Sequence, residues 1–284
     1  VGRVKANTSG PVFRPQRERQ ILDNLASENS GPLPEEHLRS IWHEIFASSR
    51  TLQRPVSVAY LGPEGTNSYF AAVDLLGNLM DYRPCKNFRE AFAAVHGGEC
   101  ALGVIPLENV LQGSVGQCFD LFMEYDVYIQ TESVARIQHT LLSVESSPEA
   151  IKVVYSHPQA LMQCSQYLNA RKDWQQISVA NTALAAKKIL EDQDKRHAAV
   201  CSAYAASVYG LSVLADNIND EKNNSTRFIV ITNQKVFLKD ATKISICLEL
   251  PHESSSLYHL LSHFAYNDLN MTKIESRPME GKSW

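Results

Sequence analysis

Between Val56 and Thr232 the chain repeats one local design: a short apolar run, a polar turn, then a helical stretch. The pairs are 56-VSVAYLG-62 into 69-YFAAVDLLG-77, 101-ALGVIPLE-108 into 115-VGQCFDLFMEY-125, 151-IKVVYS-156 into 160-ALMQCSQYLNA-170, 177-ISVA-180 into 183-ALAAKKILE-191, and 198-AAVCS-202 into 203-AYAASVYG-210, with a last run at 226-TRFIVIT-232. Strands alternating with helices predict parallel sheets with crossover helices, so residues 55–234 read as an α/β domain. The units share no sequence period, and the repetition is architectural.

Both flanks differ. Residues 1–54 read as helical. Leu38, Ile41, Trp42, Ile45, Phe46 and Leu52 recur at steps of three and four on one long helix, and a shorter helix from about Pro15 to Ser27 ends before the breaker Ser30-Gly31-Pro32. Helices this few cannot enclose a core and must dock or dimerise. After Asn233-Gln234 a new pattern begins, with a strand at 243-KISICLEL-250, a helix near 255-SSLYHLLSHFAYN-267 and another strand from about Met271. Residues 242–284 thus resemble the beginning of a small α+β module with an apolar edge that needs cover. The chain opens on Val1 without methionine and stops at Trp284, and both flanking modules are expected to be partial.

Composition narrows the function classes. A net charge of −4 argues against a nucleic-acid grip, which needs a concentrated positive field. No apolar run approaches the ~20 residues of a membrane span. The six cysteines are scattered without a C-x-x-C pair, which predicts reduced thiols in a cytoplasmic protein and no disulfide frame or zinc site. Neither dinucleotide nor P-loop glycine patterns occur, so no cofactor is expected.

Several strand-to-helix turns end in Ser, Thr or Asn. Each can be only a helix cap, but a row of helix N-termini at one sheet edge makes an anion pocket, and a small carboxylate is the simplest occupant. Glu108, after an apolar strand and Pro106, reads either as a proton donor or hydroxyl anchor in a cleft or as a helix-start carboxylate. Thr226-Arg227-Phe228 follows the polar run 219-NDEKNNS-225 and by itself reads as a strand start. His157 before Pro158 reads as a turn residue. His259 and His263 have metal-like spacing, but without a carboxylate or cysteine at matching reach helix packing is the better account, and no metal is expected.

The strings 60-YLGPEGTNS-68, 103-GVIPLEN-109, Gly113, 155-YSHPQALMQC-164, 225-STRF-228 and 275-ESRP-278 closely resemble, in the same order, the bacterial bifunctional chorismate mutase–prephenate dehydratases. The resemblance implies a two-lobed, periplasmic-binding-protein-like dehydratase domain, preceded by part of an all-α AroQ-type mutase and followed by part of an ACT domain that senses L-phenylalanine and pairs across a homodimer. It implies Thr226, Glu108, Asn109 and Gln163 as catalytic residues, with Phe228, Ser156, His157, Thr66 and Ser68 lining the cleft. Lys5, Arg17, Glu18, Ser49 and Gln53 fall on mutase positions, and Arg14 stands where some members carry an acid. Ser49 and Gln53, four apart, share one helix face. The mutase site also needs arginines that precede this chain, so mutase activity is expected of the parent protein. Glu275, Ser276, Arg277 and Pro278 match the phenylalanine-binding motif, while a companion G-A-L-V string stands here as 255-SSLY-258.

The implied reaction converts prephenate to phenylpyruvate with loss of CO2 and hydroxide. Helix N-termini and Asn109 would hold the anions, Thr226 would hydrogen-bond the departing hydroxyl, and Glu108 would supply the proton. Two rivals stand beside it: a two-lobed clamp that binds a small acid without reacting, since fold alone does not give function, and an arogenate dehydratase with the same motifs.

Overall fold

The computed structural model describes residues 13–53, 56–236 and 241–277; Lys5, Pro278 and the side chain of Gln53 lie outside them. Helices α1 (Pro15–Glu28) and α2 (Glu35–Gln53) form a hairpin around the Ser30-Gly31-Pro32 break, with proline in the first turn of α1 where its missing N–H costs nothing. The apolar stripe of α2 divides. Leu38 and Phe46 are buried, whereas Ile41, Ile45 and Leu52 stay exposed.

The hairpin packs on the first of two lobes. Phe13 and Ala47 join Val58, Ala72, Leu76, Val104, Phe228 and Val230 in one core. Gly77 has φ +86, and a Cβ there would lie 2.5 Å from that of Ala47, so only glycine lets the backbone turn beneath α2. Arg50 pins the contact. Its Nη1 reaches the Glu18 carboxylate at 2.5 and 2.6 Å, and its Nη2 donates to the Leu76 carbonyl.

In the first lobe, β1 (Ser57–Leu61) leads to α3 (Asn67–Leu76), β2 (Asp81–Cys85) to α4 (Phe88–His96), and β3 (Leu102–Asn109) through β4 (Gly113–Ser114) to α5 (Gly116–Glu124); β5 (Tyr128–Arg136) then leaves the lobe. The second lobe runs β6 (Thr140–Ser143), β7 (Val153–Ser156), α6 (Pro158–Gln163), α7 (Ser165–Asn169), β8 (Gln175–Ser178), α8 (Thr182–Asp192), β9 (His197–Cys201), α9 (Ala203–Tyr209) and β10 (Ser212–Ala215). The chain returns to the first lobe as β11 (Ser225–Thr232). It therefore crosses between lobes twice, at residues 136–140 and 215–225.

The sheets have strand orders β2-β1-β3-β11-β5, with β4 on β3, and β10-β6-β9-β7-β8. Neither is wholly parallel, which corrects the sequence expectation. β11 runs antiparallel to β3 and β5, and β6 runs antiparallel to β9 and β10. The crossings are the reason: a strand entering from the other lobe approaches without a crossover helix, so nothing forces a parallel direction. Strand alternation fills both faces of the first sheet, Ile105, Leu107, Ile229 and Ile231 facing α4 and α5, and Val104, Phe228 and Val230 facing α3 and the hairpin.

The carboxyl-terminal region departs from its reading. Helix α10 (Ser256–Tyr266) forms, but no strand forms over 243–250 or after Met271 among the described residues. Ile244, Ile246, Leu248 and Leu250 keep a period-two pattern and are all exposed. Pattern without a neighbouring strand leaves the backbone groups unpaired, and no strand results.

Candidate active site

The lobes meet at a buried set of neutral polar side chains. β3 and β11 pair Asn109 directly opposite Thr226, and Asn224 precedes β11 on the return crossing. Asn109 Nδ2 lies 2.9 Å from Asn224 Oδ1, 3.1 Å from the Ser225 carbonyl and 2.9 Å from Thr226 Oγ1. From the second lobe, Gln163 at the end of α6 brings Oε1 to 3.4 Å from Asn224 Nδ2 and 2.7 Å from His139 Nε2. Asn109, Asn224, Thr226 and His139 are buried, whereas Gln163 is partly open.

The direction of every bond follows from two backbone amides. Asn109 Oδ1 accepts from the N–H groups of Leu111 and Gln112 at 2.9 and 3.1 Å, so this atom is the oxygen and the other end of the amide is the donor. Thr226 Oγ1 is then an acceptor toward Asn109 and keeps its own hydrogen to donate elsewhere. Asn224 must present oxygen to Asn109, which turns its NH2 to Gln163. Gln163 must present oxygen in turn, and its NH2 is left for a further acceptor. The cluster thus offers two neutral donors, the Thr226 hydroxyl and the Gln163 amide, at the junction of the lobes.

A break between α6 and α7 holds Gln163. The amide of Asp220 donates to the Gln163 carbonyl at 2.8 Å, while the Asp220 carboxylate accepts from Ser165 Oγ at 2.7 Å and from the Gln166 amide. Burial pushes the neighbouring Cys164 thiol up to about 12, so it is an inert packing group. All six cysteines are free, and of these Cys247 alone is exposed.

The other residues implied by the resemblance make contacts of their own. Phe228 is 1% exposed, two residues along the same face of β11 from Thr226, where that face is covered by the core under the helical hairpin. Glu108 and Asn109 are neighbours on a strand and face opposite ways. Asn109 turns to Thr226, while Glu108 turns to Arg227 at 3.9 Å and to Lys273 Nζ at 3.0 Å. Ser156 is buried and donates to the Val200 carbonyl at 2.5 Å. His157 caps α6 by accepting from the Gln159 amide, and Thr66 caps α3 by accepting from the Tyr69 amide. Ser68 is buried in α3. Thr66 and His157 thus serve as caps and Ser156 as a strand tie.

The lobes also touch beyond the cluster. Tyr209 Oη donates to the Glu64 carbonyl at 2.7 Å, and the rings of Phe70 and Tyr204 stack at 4.6 Å. Gly65, at φ +88, leaves room for Tyr209, whose ring a Cβ would approach to 2.9 Å.

Of the mutase positions, Arg17 is exposed and Glu18 is taken up by Arg50. In the string 275-ESRP-278, Glu275 accepts from Ser114 Oγ at 2.6 Å and Arg277 holds Asp120 at 2.9 and 2.6 Å, while Ser276 is exposed. These bonds hold the carboxyl-terminal segment against β4 and α5. Asp120 is lowered by its bonds to the Arg277 guanidinium.

Sequence reasoning passed over His139 and Asn224. Asn224 lies inside the polar run 219–225, whose length was the available signal. His139 had none, because its position depends on the crossing. Ser202, at the turn from β9 into α9, is buried, and its hydroxyl has no hydrogen-bond partner among the described residues. Among the described residues no three His, Cys, Asp or Glu side chains gather to hold a metal, and no helix is long and apolar enough to cross a membrane.

Comparison with known proteins agrees with this layout. Residues 58–236 match the family described as Prephenate dehydratase, and residues 1–54 match Chorismate mutase type II. The chain is 38% identical over its whole length to the bifunctional chorismate mutase/prephenate dehydratase of Aquifex aeolicus, covering 79% of that protein. It is likewise 38% identical over its whole length to that of Pseudomonas aeruginosa, again covering 79%. A solved prephenate dehydratase from Arthrobacter aurescens, in complex with L-Phe, superposes with a TM-score of 0.68 at 27% identity over 80% of this chain and 77% of that one. The order of a type II mutase segment followed by a two-lobed dehydratase is that of the matched proteins, and the chain belongs to the bifunctional chorismate mutase/prephenate dehydratase family.

Proposed function

We propose that the dehydratase reaction takes place at the lobe junction, with Thr226 and Gln163 as the groups that touch prephenate. The observation that carries this reading is the fixed polarity of Asn109, which makes Thr226 Oγ1 an acceptor on one side and frees its O–H as a donor on the other. In the reaction the electrons of the ring carbon–carboxylate bond enter the ring as CO2 departs. The ring becomes aromatic as the C–O bond at the hydroxyl-bearing carbon breaks, and hydroxide leaves with the negative charge that the lost carboxylate carried, so that CO2 and hydroxide together give bicarbonate in solution. Aromatisation supplies the driving force. The protein's part is to hold the anions and to stabilise the hydroxide as it forms.

A preorganised neutral donor suits that task, because it is worth more to a developing anion than to the neutral hydroxyl it starts from. Thr226 donates to the departing oxygen, and the Gln163 amide donates to the substrate from the opposite lobe. Asn109 acts through Thr226, fixing the direction in which its hydroxyl points. Glu108 has no part in the proton transfer, since it lies on the other face of the strand among cations.

Three finer assignments belong to the same reading. L-Phenylalanine is the effector, acting at Glu275, Ser276 and Arg277, whose ties to Ser114 and Asp120 connect that segment to β4 and α5. The active form is a homodimer in the cytoplasm. The preferred substrate is prephenate over arogenate, because the mutase segment makes prephenate.

The test is turnover of prephenate at neutral pH, followed as phenylpyruvate, with arogenate and chorismate in parallel and with added L-phenylalanine. Turnover of prephenate lost in Thr226→Ala supports the reading. Full turnover in that variant overturns the site.

A further inference from the structure

Among the described residues, His139 is the titratable side chain hydrogen-bonded to the Asn109–Thr226–Asn224–Gln163 cluster, and the reaction as described does not use it. It is 4% exposed and lies where the chain first crosses into the second lobe. Its backbone is tied on both sides. The His139 amide donates to Asn219 Oδ1 at 2.5 Å, the Ile218 amide donates to the His139 carbonyl at 2.9 Å, and Asn219 Nδ2 returns to the Ile137 carbonyl at 3.1 Å. The two crossings are thus laced together around this residue, and its ring is aimed from a fixed base at Gln163.

The polarity argument reaches the ring. Gln163 must present oxygen toward Asn224, and the same oxygen lies 2.7 Å from His139 Nε2. The amide oxygen and a bare Nε2 lone pair cannot share that contact, so Nε2 carries the hydrogen. Desolvation holds the imidazole below the ordinary histidine range, so it is neutral near pH 7 and donates as Nε2–H. Of the two contacts on the Gln163 oxygen, the one from Asn224 is long at 3.4 Å, and the histidine contact is the short one.

We propose that His139 is a positioning residue for the dehydratase: its Nε2–H locks the Gln163 amide with oxygen inward and NH2 toward the substrate. Without that donor the amide can rotate by half a turn and present its oxygen to an anion, which replaces an attraction by a repulsion. The proposal rests on the assignment of Gln163 to the substrate site.

Four variants separate the two. In His139→Leu the donor is lost, and kcat should fall roughly 10- to 100-fold with KM changed much less. His139→Gln puts an amide N–H near the same point and should recover most of the loss, which a merely space-filling histidine would not require. Gln163→Ala should be impaired by itself, and adding His139→Leu to it should cost nothing further. Losses that multiply in the double variant, or a His139→Leu enzyme with kcat within about twofold of the parent, overturn the positioning role. A fully active Gln163→Ala overturns the site assignment as well and is distinguishable from the other failures. The unsubstituted protein gives an independent reading by nitrogen NMR of its nine histidines, with the His139 signal assigned from its loss in His139→Gln. Nε2–H is expected, and the Nδ1–H tautomer overturns the proposal even if His139→Leu fails to fold.

Discussion

The two sides of the β3–β11 pair are built from adjacent residues and do opposite work. On one side Asn109 and Thr226 are buried, uncharged and directed by hydrogen bonds whose polarity traces back to two backbone amides. On the other side Glu108 and Arg227, each part exposed, belong to a loose set of charges that includes Glu132, Lys243, Lys273 and Glu275. The buried side has fixed direction and no net charge. The ionic side has charge and little fixed direction. Hydroxide departure needs a donor aimed at one atom, which the first supplies. Holding a segment on a surface needs only attraction, which the second supplies.

Removing the aimed donor should have the largest effect. Thr226→Ala is expected to lower kcat by roughly 10²–10³-fold, the scale for losing one preorganised donor to a developing oxyanion, while KM moves by much less. Steady-state kinetics on prephenate checks it, and a KM effect without a kcat effect would make Thr226 a binding residue only. Asn109→Ala comes next. It strips partners from Asn224 and Thr226 and from the Leu111 and Gln112 amides together, so the domain should lose about 1–3 kcal/mol, read as a lower urea midpoint with unchanged slope.

What could be read from the sequence follows the same division. Strands with apolar runs, such as Val58–Tyr60, Leu102–Ile105 and Ile229–Ile231, were legible because both faces are covered and the code is composition. β2 (DYRPC) and β5 (YIQTESVAR) were not, because edge strands need no apolar run and their pairing is decided by neighbours. Phe228 shows the limit at the site. The TRF string points to it as strongly as to Thr226, yet two residues further along the same face of β11 its ring already lies in the core under the helical hairpin. His139 and Asn224 acquire their roles only when two crossings, far apart in sequence, are brought side by side. Strand directions also lay beyond periodicity, which has the same period for parallel and antiparallel strands.

A smaller effect sharpens the buried side alone. His139 is held below its ordinary value by burial, so between that ordinary value of 6.5 and the lower folded value the unfolded chain binds a proton that the folded chain does not. Its stabilising contribution is full above pH 6.5 and is lost as pH falls through the folded value. The slope is at most about 1.4 kcal/mol per pH unit for one group. Urea unfolding from pH 7 downward checks it. His139→Gln should flatten this part of the profile, and an unchanged profile would show that another group is responsible.

The smallest effect is expected on the ionic side, and it is the sharpest test of the comparison. Glu108 neighbours Asn109 in sequence, and by sequence logic it was the proton source. By geometry it is one member of a part-exposed charge set, 3.0 Å from Lys273, and pairs of that kind contribute about 0–1 kcal/mol. Glu108→Gln keeps the shape and removes the charge. Its kcat should stay within about threefold of the parent. What should change is the hold on the carboxyl-terminal segment, seen as faster proteolysis between α10 and Arg277 at low salt and no difference at high salt, where screening already weakens the pairs. A large loss of kcat in Glu108→Gln would mean that the two sides of the strand pair are coupled in the reaction, and that the proton route passes through the charge that this structure turns away.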